Sequence, residues 1–96
     1  MNGTFHVTLG TPIGPQSGTI TFVDHDGSLS GSIRAMGNTN YFTGSANGDS
    51  FRISGVLSAG FFRFPYTAQG TVSGSVLQGT ATTSAGVFQM NGTKAG

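Results

Sequence analysis

Short runs in which apolar and polar residues strictly alternate, broken at regular intervals by glycine-bearing turns, constrain this chain more than any other feature. Thr4 to Leu9 sets Phe5, Val7 and Leu9 against Thr4, His6 and Thr8. Thr19 to Val23 sets Ile20 and Phe22 against threonines. Ser28 to Ala35 sets Leu29, Ile33 and Ala35 against Ser30, Ser32 and Arg34, and Phe51 and Ile53 oppose Arg52 and Ser54. A period of two puts one row of side chains on a core and the other in water. No window of about eleven residues escapes both glycine and this alternation, so there is no room for a helix.

Turn signals separate the runs at Gly10 to Ser17, Asp24 to Gly27, Met36 to Thr39, Asn47 to Asp49, Ser58 to Gly60, Ser73-Gly74 and Ser84 to Gly86. Asp-Gly, Asn-Gly and Ser-Gly pairs supply the positive φ angles of tight hairpins. Seven turns imply eight short strands. Three segments repeat one device, a turn followed by an apolar first residue of a strand: Asp26-Gly27-Ser28-Leu29, Asn47-Gly48-Asp49-Ser50-Phe51 and Ser73-Gly74-Ser75-Val76. The expected fold is therefore all-β, one domain over residues 1–96, a small antiparallel meander barrel of about eight strands. A flattened sandwich is the alternative. Closure is favoured because it removes exposed strand edges, which this chain has few charges to guard.

Charged residues make up 7% of the chain, and four basic against three acidic side chains leave a net charge of +1. Four cations are too few to displace counterions along a phosphate backbone, which sets nucleic acid aside. So little charge gives weak repulsion between copies and favours a homo-oligomer, a dimer first. Without cysteine there is neither disulfide nor thiolate chemistry. Met1 to Leu9 has no basic region followed by an apolar run, so the expected location is cytoplasmic. No apolar stretch approaches the ~20 residues of a membrane-spanning helix, so no membrane partner is expected.

Gly3-Thr4-Phe5, opening the first strand, resembles the Gly-x-Trp opening of calycins, the lipocalin and avidin group. The stretch from Gly18 through Asp26-Gly27-Ser28-Leu29-Ser30-Gly31 to Gly37-Asn38 and Gly44 is similar to the early hairpins of avidin-like proteins. The resemblance implies a closed barrel, with Lys94 as the basic residue that calycins pack over the first aromatic. It implies no biotin site, because the polar residues that would hold biotin fall near Val7 and Ile33, which are apolar. Thr11-Pro12-Ile13-Gly14-Pro15-Gln16 also resembles a Thr-Pro-x-Gly-x-Gln segment of small bacterial proteins, a likeness that implies no activity.

Phe61-Phe62-Arg63-Phe64-Pro65-Tyr66 is the strongest local anomaly. Adjacent phenylalanines on a strand point to opposite faces, so one must leave the core. An exposed aromatic cluster marks a ligand or partner surface, and Pro65 marks an edge or bulge. Tyr41-Phe42 repeats the feature more weakly. His6 falls on the face opposite Phe5, Val7 and Leu9, as a ligand contact, a general base or a plain surface histidine.

Asp24-His25-Asp26-Gly27 could hold a metal through two carboxylates and an imidazole, but a hairpin turn with Asx hydrogen bonds explains it more simply, and no metal or cofactor is expected. Arg34, Arg52 and Arg63 lie on three strands, and would form an anion site only if those strands were neighbours. Asp49 is a simple partner for Arg52. Gly-x-Ser-x-Gly occurs nowhere, so the many serines and threonines do not indicate a nucleophile.

The leading functional expectation is a non-enzymatic barrel that binds an apolar small molecule or acts through homo-oligomer assembly. Its ligand or interface candidates are His6, Tyr41, Phe61, Phe62, Arg63, Phe64 and Tyr66. The alternative is a small barrel enzyme of isomerase, cyclase or hydrolase type, with His6, Tyr41, Tyr66 and one arginine at the barrel mouth. A third reading, a structural or matrix role, rests on the glycine, serine and threonine content alone.

Overall fold

The computed structural model describes residues 1–10, 14–35, 37–59 and 61–95. Eight strands follow one another: β1 (Gly3–Leu9), β2 (Gln16–His25), β3 (Ser28–Ala35), β4 (Asn38–Asn47), β5 (Ser50–Ala59), β6 (Phe62–Ser73), β7 (Val76–Thr83) and β8 (Gly86–Lys94). Each pairs antiparallel with its neighbour in sequence, and β8 returns to β1, closing a barrel. The closing ladder runs from Phe5 opposite Lys94 to Leu9 opposite Met90, which decides for a barrel over a sandwich. The expected turns lie where the strands reverse. The strands run further into them than the alternation alone suggests, so that Asp24 and His25 belong to β2 and Asn38 and Thr39 to β4.

The inward rows follow the alternation. Phe5, Val7 and Leu9 of β1, Ile20 and Phe22 of β2, and Leu29, Ile33 and Ala35 of β3 are all buried. The facing residues His6, Thr8, Ser30 and Arg34 are exposed. Phe22 stands at the centre of an aromatic cluster. Its ring centroid lies 5.9 Å from Phe5 and 5.6 Å from Phe42, both edge-on, and 5.3 Å from Phe51. These spacings are those of favourable aromatic pairs, so the cluster adds direction to simple burial.

A barrel of this size cannot accept a side chain at every inward position. Gly31 lies opposite both Phe22 and Phe42. A Cβ there would come within 1.9 Å of the Thr21 carbonyl oxygen and 2.7 Å of Phe42 Cζ, so only glycine lets the strands close and the ring lie flat.

The β2–β3 turn requires positive φ at both central positions, and Asp26 (55°) and Gly27 (88°) supply it, the type I′ geometry. Asp24 accepts a hydrogen bond from Gly27 N–H at 2.9 Å and pairs with the Met1 amine. That amine, then the Gly27 N–H, holds its carboxyl below the ordinary value. The repeated turn device has a structural consequence. Each tip is tied to the next hairpin, with Gly27 O accepting from Ala46 N, Asp49 O from Val72 N and Ser75 O from Lys94 N, all at 2.8 Å. Leu29 and Phe51 enter the core as expected, but in the third copy Val76 is exposed and Leu77, one residue later, is buried.

Candidate functional site

The two ends of the barrel differ. One end carries the termini and the short turns at Gly27, Gly48 and Gly74, above the aromatic cluster. The other carries the β1–β2 connection and the β3–β4, β5–β6 and β7–β8 turns. At this second end the ladder between β4 and β5 stops. The strands pair from Phe42 opposite Gly55 to Asn47 opposite Ser50, whereas Asn38–Tyr41 pair only with β3 and Val56–Ala59 only with β6. A seam is left between them, and Asn38 Nδ2 donates across it to the Ser58 carbonyl at 3.0 Å.

On the other side of the same hairpin, β6 meets β7 only from Thr67 opposite Thr82 onward. The hairpin tip, residues 56–59 and 61–65, is therefore a two-stranded arm with no ladder on either flank among the described residues. Pro65 sits on this arm opposite Val56. It is an edge position, as expected of proline, and the register runs through it without a bulge.

Two inward polar groups face this seam. Asn40 lies opposite the buried Ile33, hence on the inner face, one inward step along β4 from Phe42. Tyr66 lies opposite Gly55. Its hydroxyl sits 3.1 Å from the place a Gly55 Cβ would occupy, and Phe42 Cβ lies 3.4 Å from the same point. The tyrosine thus reaches across β5 towards β4, over the glycine. Both Asn40 Nδ2 and Tyr66 Oη are fully buried, and neither has a hydrogen-bond partner among the described residues. Burial pushes the Tyr66 phenol above its usual pKa, so it remains a hydrogen-bond donor through the neutral range. Buried polar groups are nearly always paired. Two buried donors are thus left open beside a gap in the ladder, on the inner face that also carries Ile33, Ala35, Leu57 and Phe64.

The candidates read from the sequence separate into two sets. Phe64 is half-buried against the core and Tyr66 is inside. His6, Tyr41, Phe61 and Arg63 face out, with Phe61 wholly exposed at the tip of the arm. Phe62 opens β6, but its side chain lies outside what is described, as do residues Thr11, Pro12 and Ile13 of the Thr-Pro-x-Gly-x-Gln segment. The constellation proposed for a barrel-mouth enzyme is not assembled, because His6 and Tyr41 are on the outer face while Tyr66 is on the inner one.

Nor do the three arginines meet. Arg34 is on β3, Arg63 on the arm, and Arg52 donates to Gln69 Oε1 at 3.3 Å instead of pairing with Asp49. At Asp24-His25-Asp26-Gly27 the Asp24 carboxylate is engaged within the turn, and no group of three metal-ligating side chains occurs among the described residues. Asn40 was not singled out from sequence. The signal was available, since Phe42 faces in and a residue two positions earlier on the strand must do the same.

Fold and site together define a small closed eight-strand antiparallel barrel with one end sealed by aromatics and a seam at the other. Among solved structures the chain is similar to a redesigned beta barrel, mFAP1, bound to DFHBI, at 17% identity, with a TM-score of 0.68 over 98% of this chain and 94% of that one. A second redesigned beta barrel, b11L5F_LGL, is 16% identical with a TM-score of 0.71, covering 99% and 90% of the two chains. At such identities the likeness is one of fold. No family model matches the chain, and no curated protein matches it.

The calycin resemblance therefore holds at the level of the small antiparallel barrel. One local detail accompanies it: Lys94 is opposite Phe5, and its Cε lies 3.2 Å, and Phe5 Cε1 3.7 Å, from where a Gly3 Cβ would be. Val7 and Ile33 are buried in the core, so the inner wall is apolar where biotin binders are polar.

Proposed function

We propose that this chain is a non-enzymatic small-molecule-binding barrel. Its ligand is an apolar, uncharged molecule that enters at the β4–β5 seam and accepts hydrogen bonds from Asn40 Nδ2 and Tyr66 Oη. The observation that carries this reading is the pair of buried donors, unpartnered among the described residues, beside the open β4–β5 ladder. The likeness to a redesigned barrel bound to DFHBI supports the capacity of the fold. The aromatic cluster fills the other end, so the ligand is confined to the seam end. The outer rows of serine, threonine and arginine suit water and not lipid, which supports a barrel without a membrane partner.

The test is an NMR titration of the isotope-labelled protein with neutral aromatic ketones and amides and with DFHBI. Saturable shifts are expected at the Asn40 side-chain amide and at the methyls of Ile33 and Leu57. The Tyr66→Phe/Asn40→Leu variant should weaken binding roughly tenfold or more, the loss of two buried hydrogen bonds. Shifts confined to the outer face, or binding unchanged in the variant, would overturn the reading.

A second reading concerns assembly, and the β5–β6 arm favours it. Phe61 is fully exposed, Val56 is partly exposed, and both flanks of the arm lack a ladder. With a net charge of +1, two copies meet with little repulsion, so we assign self-association to this arm. Sedimentation velocity of the wild type and Phe61→Ser checks it: a concentration-dependent dimer is expected for the first and a monomer for the second. A wild type that stays monomeric at high concentration removes this reading and leaves the seam site untouched.

A further inference from the structure

The outer wall holds a second site that the seam does not use. Strand register places His6, Thr19, Arg34 and Thr39 in a single row across β1, β2, β3 and β4. At the ordinary strand spacing His6 and Arg34 are about 10 Å apart at their Cα atoms, with Thr19 between them. A guanidinium and an imidazole can therefore reach one small ligand from opposite sides. The row lines an open groove of about 580 Å³ that also includes Ser17 and Asn38.

The electrostatics of the groove are one-sided. The three acidic residues are Asp24, Asp26 and Asp49, all at the turns of the aromatic-sealed end. Arg34 and Arg63 belong to the seam end. Asp24 lies opposite Leu29, five residues along the β2–β3 ladder from the Arg34 pair, about 17 Å at the ordinary strand rise and about twice the screening length of about 8 Å at physiological salt, so its charge is largely screened from Arg34. The only ion pair among the described residues joins Met1 to Asp24, and Arg34 has no carboxylate partner. Every polar side chain in the groove can donate a hydrogen bond: the guanidinium through its fork, the imidazole through a ring N–H in either protonation state, the hydroxyls and the Asn38 amide.

We propose that this groove binds a small oxyanion, an organic carboxylate or a phosphate, in the fork of Arg34 with His6 and Thr19 closing on its other side. The groove borders the seam at Ala35 and Asn38, but its test reads Arg34 and His6, which the seam site does not use. NMR titrations at constant ionic strength with acetate and with inorganic phosphate follow the Arg34 Nε–H and the His6 ring protons. Saturable shifts at both residues are expected with at least one of the two anions, and the one that saturates at lower concentration identifies the chemistry. Arg34→Gln should weaken that binding roughly tenfold or more, as for a lost charge-assisted pair. Arg34→Lys keeps the charge, loses the fork and should fall between. Arg52→Gln, an outer arginine away from the groove, should leave it unchanged. Shifts that rise linearly without saturation, or an Arg52→Gln loss equal to that of Arg34→Gln, would overturn the proposal, since either means diffuse charge and no built site.

Discussion

Replacing Tyr66 by phenylalanine removes one oxygen and leaves the ring over Gly55 in place. In most buried positions such a change costs stability, because the hydroxyl had a partner. Here it has none among the described residues, so the folded barrel carries the desolvation cost of an open donor, about 1–3 kcal/mol. Part of the gain is returned by the small void left where the oxygen was, so Tyr66→Phe should stabilise the ligand-free protein by about 1 kcal/mol. For a domain of this size that raises the melting temperature by about 4–8 °C.

The same group fixes a pH dependence. The folded state holds the Tyr66 proton more tightly than the unfolded chain, whose phenol titrates near the ordinary 10.0. Above that pH the unfolded state releases the proton first and is favoured. Above pH 10, stability therefore falls by about 1.4 kcal/mol per pH unit relative to the variant, and below pH 10 the difference between the two proteins does not change with pH. Urea denaturation of both proteins at neutral pH, repeated in alkali, measures each quantity. A variant less stable than wild type at neutral pH would show that the hydroxyl is satisfied and that the seam has no open donor, and the same alkaline slope in both would show that the phenol is not buried.

Three other perturbations test other parts of the account. Gly31→Ala places a methyl 1.9 Å from a backbone oxygen that cannot rotate away, so urea unfolding should show a loss near the upper end of ordinary overpacking, about 3 kcal/mol. Phe22→Ala deletes the ring that contacts Phe5, Phe42 and Phe51 and should cost about 3–5 kcal/mol, read as a lower thermal midpoint with the same strand content by circular dichroism. Asp24 is ionised more readily in the fold than in the unfolded chain, so its contribution is present at neutral pH and lost as pH falls through and below the ordinary 3.8. Asp24→Asn should flatten the acid limb of a pH–stability profile.

Much of the fold was legible because a half-buried strand writes its burial into a period of two. Phe5, Val7, Leu9, Ile20 and Phe22 fell inside for that reason alone, and the turn pairs fixed where each strand reverses. Closure followed from the need to hide edges. The exact strand ends were not legible, because Asp24, His25, Asn38 and Thr39 are turn-forming residues that also extend a ladder when a partner strand lies beside them.

The site was half legible. Tyr66 stood out within an aromatic run, and Phe61 of that run is exposed, but at the turn before β6 and not on a strand face, while the Phe62 side chain lies outside what is described. The seam could not be foreseen, since it depends on how far β4 and β5 stay paired, which is a property of barrel stagger and not of either strand. Asn40 escaped notice for the same reason: an inward asparagine matters only once the neighbouring strand is known to have moved away. His6 and Arg34 were each noted, but their shared row emerges only when β2 is placed between them.

Native mass spectrometry of freshly purified protein, wild type beside Tyr66→Phe/Asn40→Leu, tests the binding barrel most directly. The expected result is a small non-covalent adduct on the wild type that is absent from the double variant, with a mass that begins to name the ligand. A bare wild type that also shows no saturable seam shifts in the titrations, or an adduct carried equally by both proteins, would contradict a ligand site at the β4–β5 seam.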